Sequence, residues 1–87
     1  MDKTVAPKVE FYWRPGCPYC KALRFRLHLK GISLAEVNIW EDPVAAARVR
    51  SVADGNETVP TIFIGPISLV NPNPKQVVAA MNEYAGS

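Results

Sequence analysis

The chain has 87 residues with two cysteines, and its ten Lys and Arg side chains against eight Asp and Glu give a net charge of +2. So small a positive excess argues against a nucleic-acid-binding domain, and two cysteines cannot build a disulfide-rich scaffold. The first eight residues contain no hydrophobic signal segment, so we expect residues 1–87 to form one soluble cytoplasmic domain, with its core over residues 8–85.

The first half of the chain predicts a strand, a helix and a second strand. Val9 to Trp13 is apolar and rich in aromatic residues, and a turn sequence with proline and glycine ends it. A helix is predicted from Pro18 to Lys30, because proline suits a first helical turn and Gly31 suits the residue past the end. Apolar and polar residues alternate from Ala35 to Ile39, which predicts a second strand, parallel to the first.

The second half predicts a helix, a hairpin and a last helix. Asp42 is expected to cap a helix that begins at Pro43 and runs to Asp54-Gly55, with apolar positions at Val44, Ala47, Val49 and Val52. Two β-rich runs, Thr61 to Ile64 and Ile67 to Val70, are separated only by Gly and Pro and predict an antiparallel hairpin. Asn73-Pro74 repeats this cap-and-proline signal and predicts a last helix whose inner face carries Val77, Val78, Met81 and Tyr84. Together the elements predict an α/β fold, a four-stranded mixed sheet flanked by three helices.

The two cysteines stand in a C-x-x-C spacing at the predicted junction of the first strand and helix. Cys17 therefore lies where helical N–H groups are unpaired and the helix dipole is positive, which favours a thiolate. From Phe11 to Ala35 there are five Lys and Arg residues and no Asp or Glu, so the local field also lowers the pKa of a cysteine. We expect Cys17 to be the exposed, attacking cysteine and Cys20, on the inner stripe of the helix, to be the resolving one.

Three other interpretations of the cysteine pair stay open. A structural disulfide would close a very short loop and would tend to be reduced in the cytosol. A mononuclear zinc site needs about four ligands, and the only histidine, His28, falls on a solvated stripe of the helix. An iron–sulfur cluster shared between two chains needs one thiolate from each, which the spacing permits.

The chain resembles a glutaredoxin of the thioredoxin superfamily. The residues that carry the resemblance are Phe11-Tyr12-Trp13, Cys17-Pro18-Tyr19-Cys20 and, some forty residues later, Thr58-Val59-Pro60. The likeness spans Lys8 to about Tyr84. Within the family, the segment from Asn38 to Thr61 and the later Asn71-Pro72 look most like the mycoredoxins, which use mycothiol.

The resemblance implies a thioredoxin-like fold and a site around the cysteines. It implies that Pro60 is cis and faces the cysteines, and that the backbone of Val59 pairs with the bound thiol. The implied thiol-binding residues are Arg14, Tyr19, Thr58, Val59 and Pro60, and no metal ligand is expected. The Gly-Gly-x-Asp-Asp segment that holds glutathione in other glutaredoxins is replaced here by Leu69 to Pro74. Mycothiol is therefore the expected co-substrate, and glutathione is the less favoured one.

The expected function is that of a thiol–disulfide oxidoreductase that reduces mixed disulfides between proteins and mycothiol. Its expected partners are the small thiol and protein mixed disulfides, with no nucleic acid and no membrane, and the protein is expected to be a monomer. The alternatives are a protein-disulfide reductase recharged by a flavoprotein such as thioredoxin reductase, and a module that binds an iron–sulfur cluster or a metal.

Overall fold

The computed structural model describes residues 7–86. Its elements follow one another in the order β1 (Glu10–Trp13), α1 (Pro18–Leu29), β2 (Ala35–Asn38), α2 (Pro43–Val52), β3 (Thr61–Ile64), β4 (Ile67–Val70) and α3 (Pro74–Ala85). The four strands form one sheet in the order β2-β1-β3-β4, in which β1 and β2 are parallel and the other two pairs are antiparallel. The predicted four-stranded mixed sheet with three helices is confirmed.

The sheet is covered on both faces, which explains why all four residues of β3 are buried. On one face, Arg24 of α1 stacks over the rings of Phe11 and Trp13 in β1. On the other face, Arg48 of α2 contacts the ring of Tyr12, which lies between Phe11 and Trp13 in β1, and the ring of Phe63 in β3. Because successive side chains of a strand point to opposite faces, α1 and α2 pack on opposite sides of the sheet. The strand ends that carry the cysteines and the proline loop are thereby held by packing from both sides.

The helix ends follow the capping chemistry that the sequence carries. Asp42 accepts hydrogen bonds from the N–H groups of Val44 and Ala45 at 3.1 and 3.2 Å. At the end of α1, Gly31 has a φ of +75°, and the N–H of Ile32 donates to the carbonyl of Leu27 at 3.1 Å, as in a Schellman motif. The predicted start of α2 and the predicted glycine after α1 are confirmed.

Several details of the sequence prediction are wrong. Three predicted element boundaries are off by one residue. The first strand begins after Val9, the first helix ends before Lys30, and the second strand ends before Ile39. Val44 is 78% exposed, because α2 turns Ala45, Ala46 and Val49 inwards instead. Tyr84 is 42% exposed, and Ala80 takes the inner position on α3 beside Val77. The inner stripe of α2 is displaced from the predicted one, so Ala45 and Ala46 are buried and Ala47 is exposed. The helix also ends at Val52, before the predicted Asp54-Gly55.

Candidate active site

Cys17 is the N-cap residue of α1, so its side chain occupies the position at which capping groups meet unpaired N–H groups. The backbone N–H of Cys20 donates to Sγ of Cys17 at 3.1 Å. Pro18 occupies the first helical position, where a missing N–H costs nothing. The loop between β1 and α1 thus directs one helical N–H group at the sulfur, an arrangement that stabilises a negative charge on it.

Cys17 and Cys20 are joined in a disulfide, with their Cα atoms 5.2 Å apart. Cys17 is 5% exposed and Cys20 is 1% exposed. The prediction of an exposed Cys17 is therefore wrong for this oxidised state, because its sulfur is bonded to Cys20 and lies 3.8 Å from the carbonyl oxygen of Val59. Cys17 is still the more accessible of the two, and the neighbouring residues Gly16 and Pro18 are exposed.

The proline loop before β3 lies against the cysteines. The Val59–Pro60 peptide bond is cis, as the family resemblance implied, and both residues are buried. Thr58 is half-buried, and its carbonyl accepts a hydrogen bond from Oγ1 of Thr61 at 2.7 Å. The carbonyl of Pro60 accepts from the N–H of Asn71 at 2.8 Å. That last bond ties the end of β4 to the proline loop and so fixes the segment that begins at Asn71.

A small cleft of about 210 Å³ lies between α1 and the start of α3, and Tyr19, which stands between the two cysteines in the chain, lines it. We call it the Tyr19–Gln76 cleft, and its polar side chains are those of Tyr19, Arg26, Asn71, Asn73 and Gln76. Asn73 and Gln76 form a capping box in which Oδ1 of Asn73 and Oε1 of Gln76 each accept a backbone N–H at 2.8 Å. Because both oxygens are used in the cap, the two NH₂ groups remain as donors.

The structure brings together only part of the predicted site. One group contains the two cysteines together with Val59 and Pro60. Tyr19 lines the Tyr19–Gln76 cleft, and the side chain of Tyr19 is 69% exposed. Arg14 is exposed in the turn after β1, and no hydrogen bond between Arg14 and another residue occurs within the part of the chain that the structure describes. The sequence interpretation missed Arg26, although its spacing of seven residues from Tyr19 places both on one stripe of α1.

The charges near the site are mostly positive. Over residues 7–86, Arg24 is the one cation of α1 that is paired with a carboxylate, that of Glu36 at 3.0 Å. Arg26 is the only charged side chain of the Tyr19–Gln76 cleft.

No group of three or more His, Cys, Asp or Glu residues that could hold a metal ion occurs among residues 7–86. None of the helices in this part of the chain is long and apolar enough to span a bilayer.

Comparisons with known proteins agree with this geometry. The family model described as glutaredoxin matches residues 9–66. Mycoredoxin 1 of Corynebacterium glutamicum is 33% identical over 81 residues, which cover 88% of this chain and 96% of that protein. The hybrid peroxiredoxin hyPrx5 of Haemophilus influenzae is 38% identical over 71 residues, 75% of this chain but only 29% of that protein.

The fold has a solved counterpart as well. The solution structure of glutaredoxin from Brucella melitensis superimposes with a TM-score of 0.65 at 31% identity, covering 90% of this chain and 82% of that one. The chain therefore belongs to the glutaredoxin family of thiol–disulfide oxidoreductases.

Proposed function

We propose that the protein reduces mixed disulfides between protein cysteines and mycothiol, with Cys17 as the nucleophile and Cys20 as the resolving cysteine. The observation that carries the proposal is the Cys17–Cys20 pair at the start of α1, beside the cis proline and next to a cleft without a carboxylate-binding cluster. The likeness to mycoredoxin 1 supports mycothiol as the small thiol. We place this activity in the cytoplasm and expect a monomer.

In the first step, the thiolate of Cys17 attacks the sulfur of the small thiol in the mixed disulfide. A bond forms between Sγ of Cys17 and that sulfur while the bond to the protein sulfur breaks, and the released protein thiolate takes a proton from water. In the second step, the thiolate of another mycothiol molecule attacks the small thiol on Cys17 and leaves as mycothiol disulfide. Alternatively, Cys20 displaces the small thiol and closes the disulfide that the structure contains.

The residues around Cys17 have distinct roles in this scheme. The N–H of Cys20, 3.1 Å from Sγ of Cys17, stabilises the thiolate before attack and while it departs. Arg14 adds positive charge on the exposed side of the site. The backbone of Val59, held beside Cys17 by the buried Pro60 and the Thr58 to Thr61 hydrogen bond, pairs with the peptide-like part of the small thiol.

The Tyr19–Gln76 cleft suits a neutral, hydroxyl-rich thiol better than a charged one. Mycothiol carries a sugar and an inositol, whose oxygens accept hydrogen bonds from the NH₂ groups of Asn73 and Gln76. Glutathione carries two carboxylates, which need cations or several N–H groups for compensation. Arg26 is the single cation in the cleft, so one of the two carboxylates would have no charged partner there.

The test is turnover of one peptide–mycothiol disulfide and one peptide–glutathione disulfide under three electron supplies. These are mycothiol with its reductase, glutathione with its reductase, and thioredoxin reductase with NADPH alone. We expect turnover with the mycothiol system only. Turnover with thioredoxin reductase alone would instead make the chain a dithiol reductase fed by a flavoprotein. If no turnover occurred with any of the three electron supplies, and anaerobically purified protein contained iron, the chain would instead be a module that binds an iron–sulfur cluster.

A further inference from the structure

A second concave surface lies on the opposite side of α1 from the Tyr19–Gln76 cleft. This groove, of about 670 Å³, runs between α1 and the loop that leads into β2. Lys21, Phe25 and His28 line it from α1, at a spacing of four and three residues that places them on one stripe. Ile32 and Leu34 line it from the loop. We call it the α1–β2 groove, and none of the steps proposed above uses it.

The groove combines an exposed aromatic ring with uncompensated positive charge. Phe25 is 62% exposed, and Ile32 and Leu34 are half-buried beside it. The only carboxylate of the lining, that of Glu36, pairs with Arg24 at 3.0 Å. Lys21 is therefore the uncompensated charge of the groove among residues 7–86. A ligand that complements this surface carries negative charge beside an apolar side chain.

The groove approaches the cysteines at Lys21 and extends away from them towards the end of α1. Lys21 lies one helical turn beyond Cys17, because its N–H donates to the carbonyl of Cys17 at 3.2 Å. From Lys21 to His28 the groove follows α1 for about 10 Å, at about 1.5 Å of rise per residue. An extended peptide spans about 3.3 Å per residue, so residues about two to five positions from a substrate cysteine reach the groove.

We propose that the α1–β2 groove binds the protein half of the mixed-disulfide substrate and selects segments in which acidic residues flank an apolar side chain. The inference rests on the proposed function, because it assigns a substrate class to the same reaction. The small thiol occupies the Tyr19–Gln76 cleft on one side of α1, and the polypeptide to be released lies along the other side. Charge complementarity with Lys21 sets the preference for acid, and contact with Phe25 sets the preference for an apolar residue.

The test compares two synthetic peptides, each with one cysteine disulfide-bonded to mycothiol. In the first, glutamates three and five residues from the cysteine flank a leucine, and in the second, lysines replace the glutamates. At low salt we expect kcat/KM to be about tenfold higher for the glutamate peptide, and the difference to shrink at higher salt. Equal kcat/KM values for the two peptides would overturn the proposal.

Variants separate the groove from general electrostatics. Lys21→Glu should abolish the preference for the glutamate peptide, and Phe25→Ser should lower kcat/KM for that peptide alone. The first control is Lys75→Glu, which changes the net charge by the same amount as Lys21→Glu but at an exposed position of α3. The second is Val44→Ser, which removes an exposed apolar side chain from α2. Both controls should preserve the preference. A Lys21→Glu variant that loses activity on both peptides equally would mean that Lys21 acts on the Cys17 thiolate, which contradicts docking.

A binding measurement keeps the groove testable if the proposed reaction fails. The glutamate peptide, with serine in place of cysteine, is titrated into ¹⁵N-labelled protein. We expect chemical-shift changes at Lys21, Phe25 and Ile32 that vanish in the Phe25→Ser variant. Such shifts without any turnover of mycothiol disulfides would retain the groove and refute the proposed function. Turnover without these shifts would retain the function and refute the groove.

Discussion

Replacing Arg48 with alanine removes the polar and ring contacts that α2 adds to the packing of Ala45, Ala46 and Val49 on the sheet. Nη1 of Arg48 lies 2.8 Å from Oε1 of Glu10 and 2.8 Å from the hydroxyl of Tyr12, and the guanidinium lies 3.9 Å from the centroid of the Phe63 ring. Burial acts to lower the pKa of Arg48, but the hydrogen bonds to Tyr12 and Glu10 outweigh it, and the pKa is raised. The guanidinium is therefore charged at every pH of interest.

The expected loss of stability follows from these three contacts. The ring contact is worth about 1 kcal/mol, the hydrogen bond to the hydroxyl about 1 kcal/mol, and the pair with Glu10 about 0.5 kcal/mol. The side chain of Arg48 is 40% exposed, so solvent screening keeps the pair with Glu10 at this low value. The sum of about 2–3 kcal/mol corresponds to a fall in Tm of roughly 10–20 °C for a domain of this size.

The assay is thermal unfolding of the oxidised protein, followed by circular dichroism. The matched control is Arg50→Ala on the same helix, because Arg50 is similarly exposed and pairs with Glu57 but stacks on no ring of the described residues. We expect the control to lose less than about 1 kcal/mol. If Arg48→Ala lost no more stability than Arg50→Ala, the contributions assigned to the ring and hydroxyl contacts of Arg48 would be wrong.

Further variants probe the site and its supports. Cys17→Ser should show no turnover of any disulfide. Cys20→Ser should still reduce mixed disulfides but should no longer reduce intramolecular disulfides. If Cys20→Ser lost activity on both substrate types, as Cys17→Ser does, the assigned roles would be contradicted. Gly65→Ala should lower the unfolding free energy, measured by urea denaturation, by at least about 1–2 kcal/mol. The reason is that φ is +57° at Gly65 and that a Cβ there would lie 2.5 Å from the ring of Tyr84. Unchanged stability would contradict this expectation. Asn73→Ala should cost about 1 kcal/mol by loss of the N-cap and raise KM for the peptide–mycothiol disulfide, whereas Asn73→Ser should restore the stability but not the KM.

Local patterns in the sequence were sufficient for most of the fold. The alternation at Ala35 to Ile39 predicts β2 with one residue too many at its end, and the short link at Gly65-Pro66 predicts β3 and β4 at their observed positions, since both signals depend on neighbouring residues only. The caps at Asp42 and Asn73 are equally local and are confirmed. The capping-box partner Gln76 could have been found from its spacing of three residues.

The parts that the sequence did not predict depend on contacts between distant residues. Arg48 meets Glu10 and Tyr12 across 38 and 36 residues, so no local pattern marks it as an anchor. The burial of Cys17 likewise depends on Val59, 42 residues away. The cis state of Pro60 was implied by family resemblance, because local sequence does not distinguish it from the commoner trans form.

The most direct test of the central claim is to identify what is bound to Cys17 in the middle of the reaction. The Cys20→Ser protein is mixed with a peptide–mycothiol disulfide, quenched with acid and analysed by intact mass and by peptide mapping. We expect mycothiol on Cys17 and an equal amount of free peptide thiol. Peptide attached to Cys17 in place of mycothiol would contradict attack on the sulfur of the small thiol.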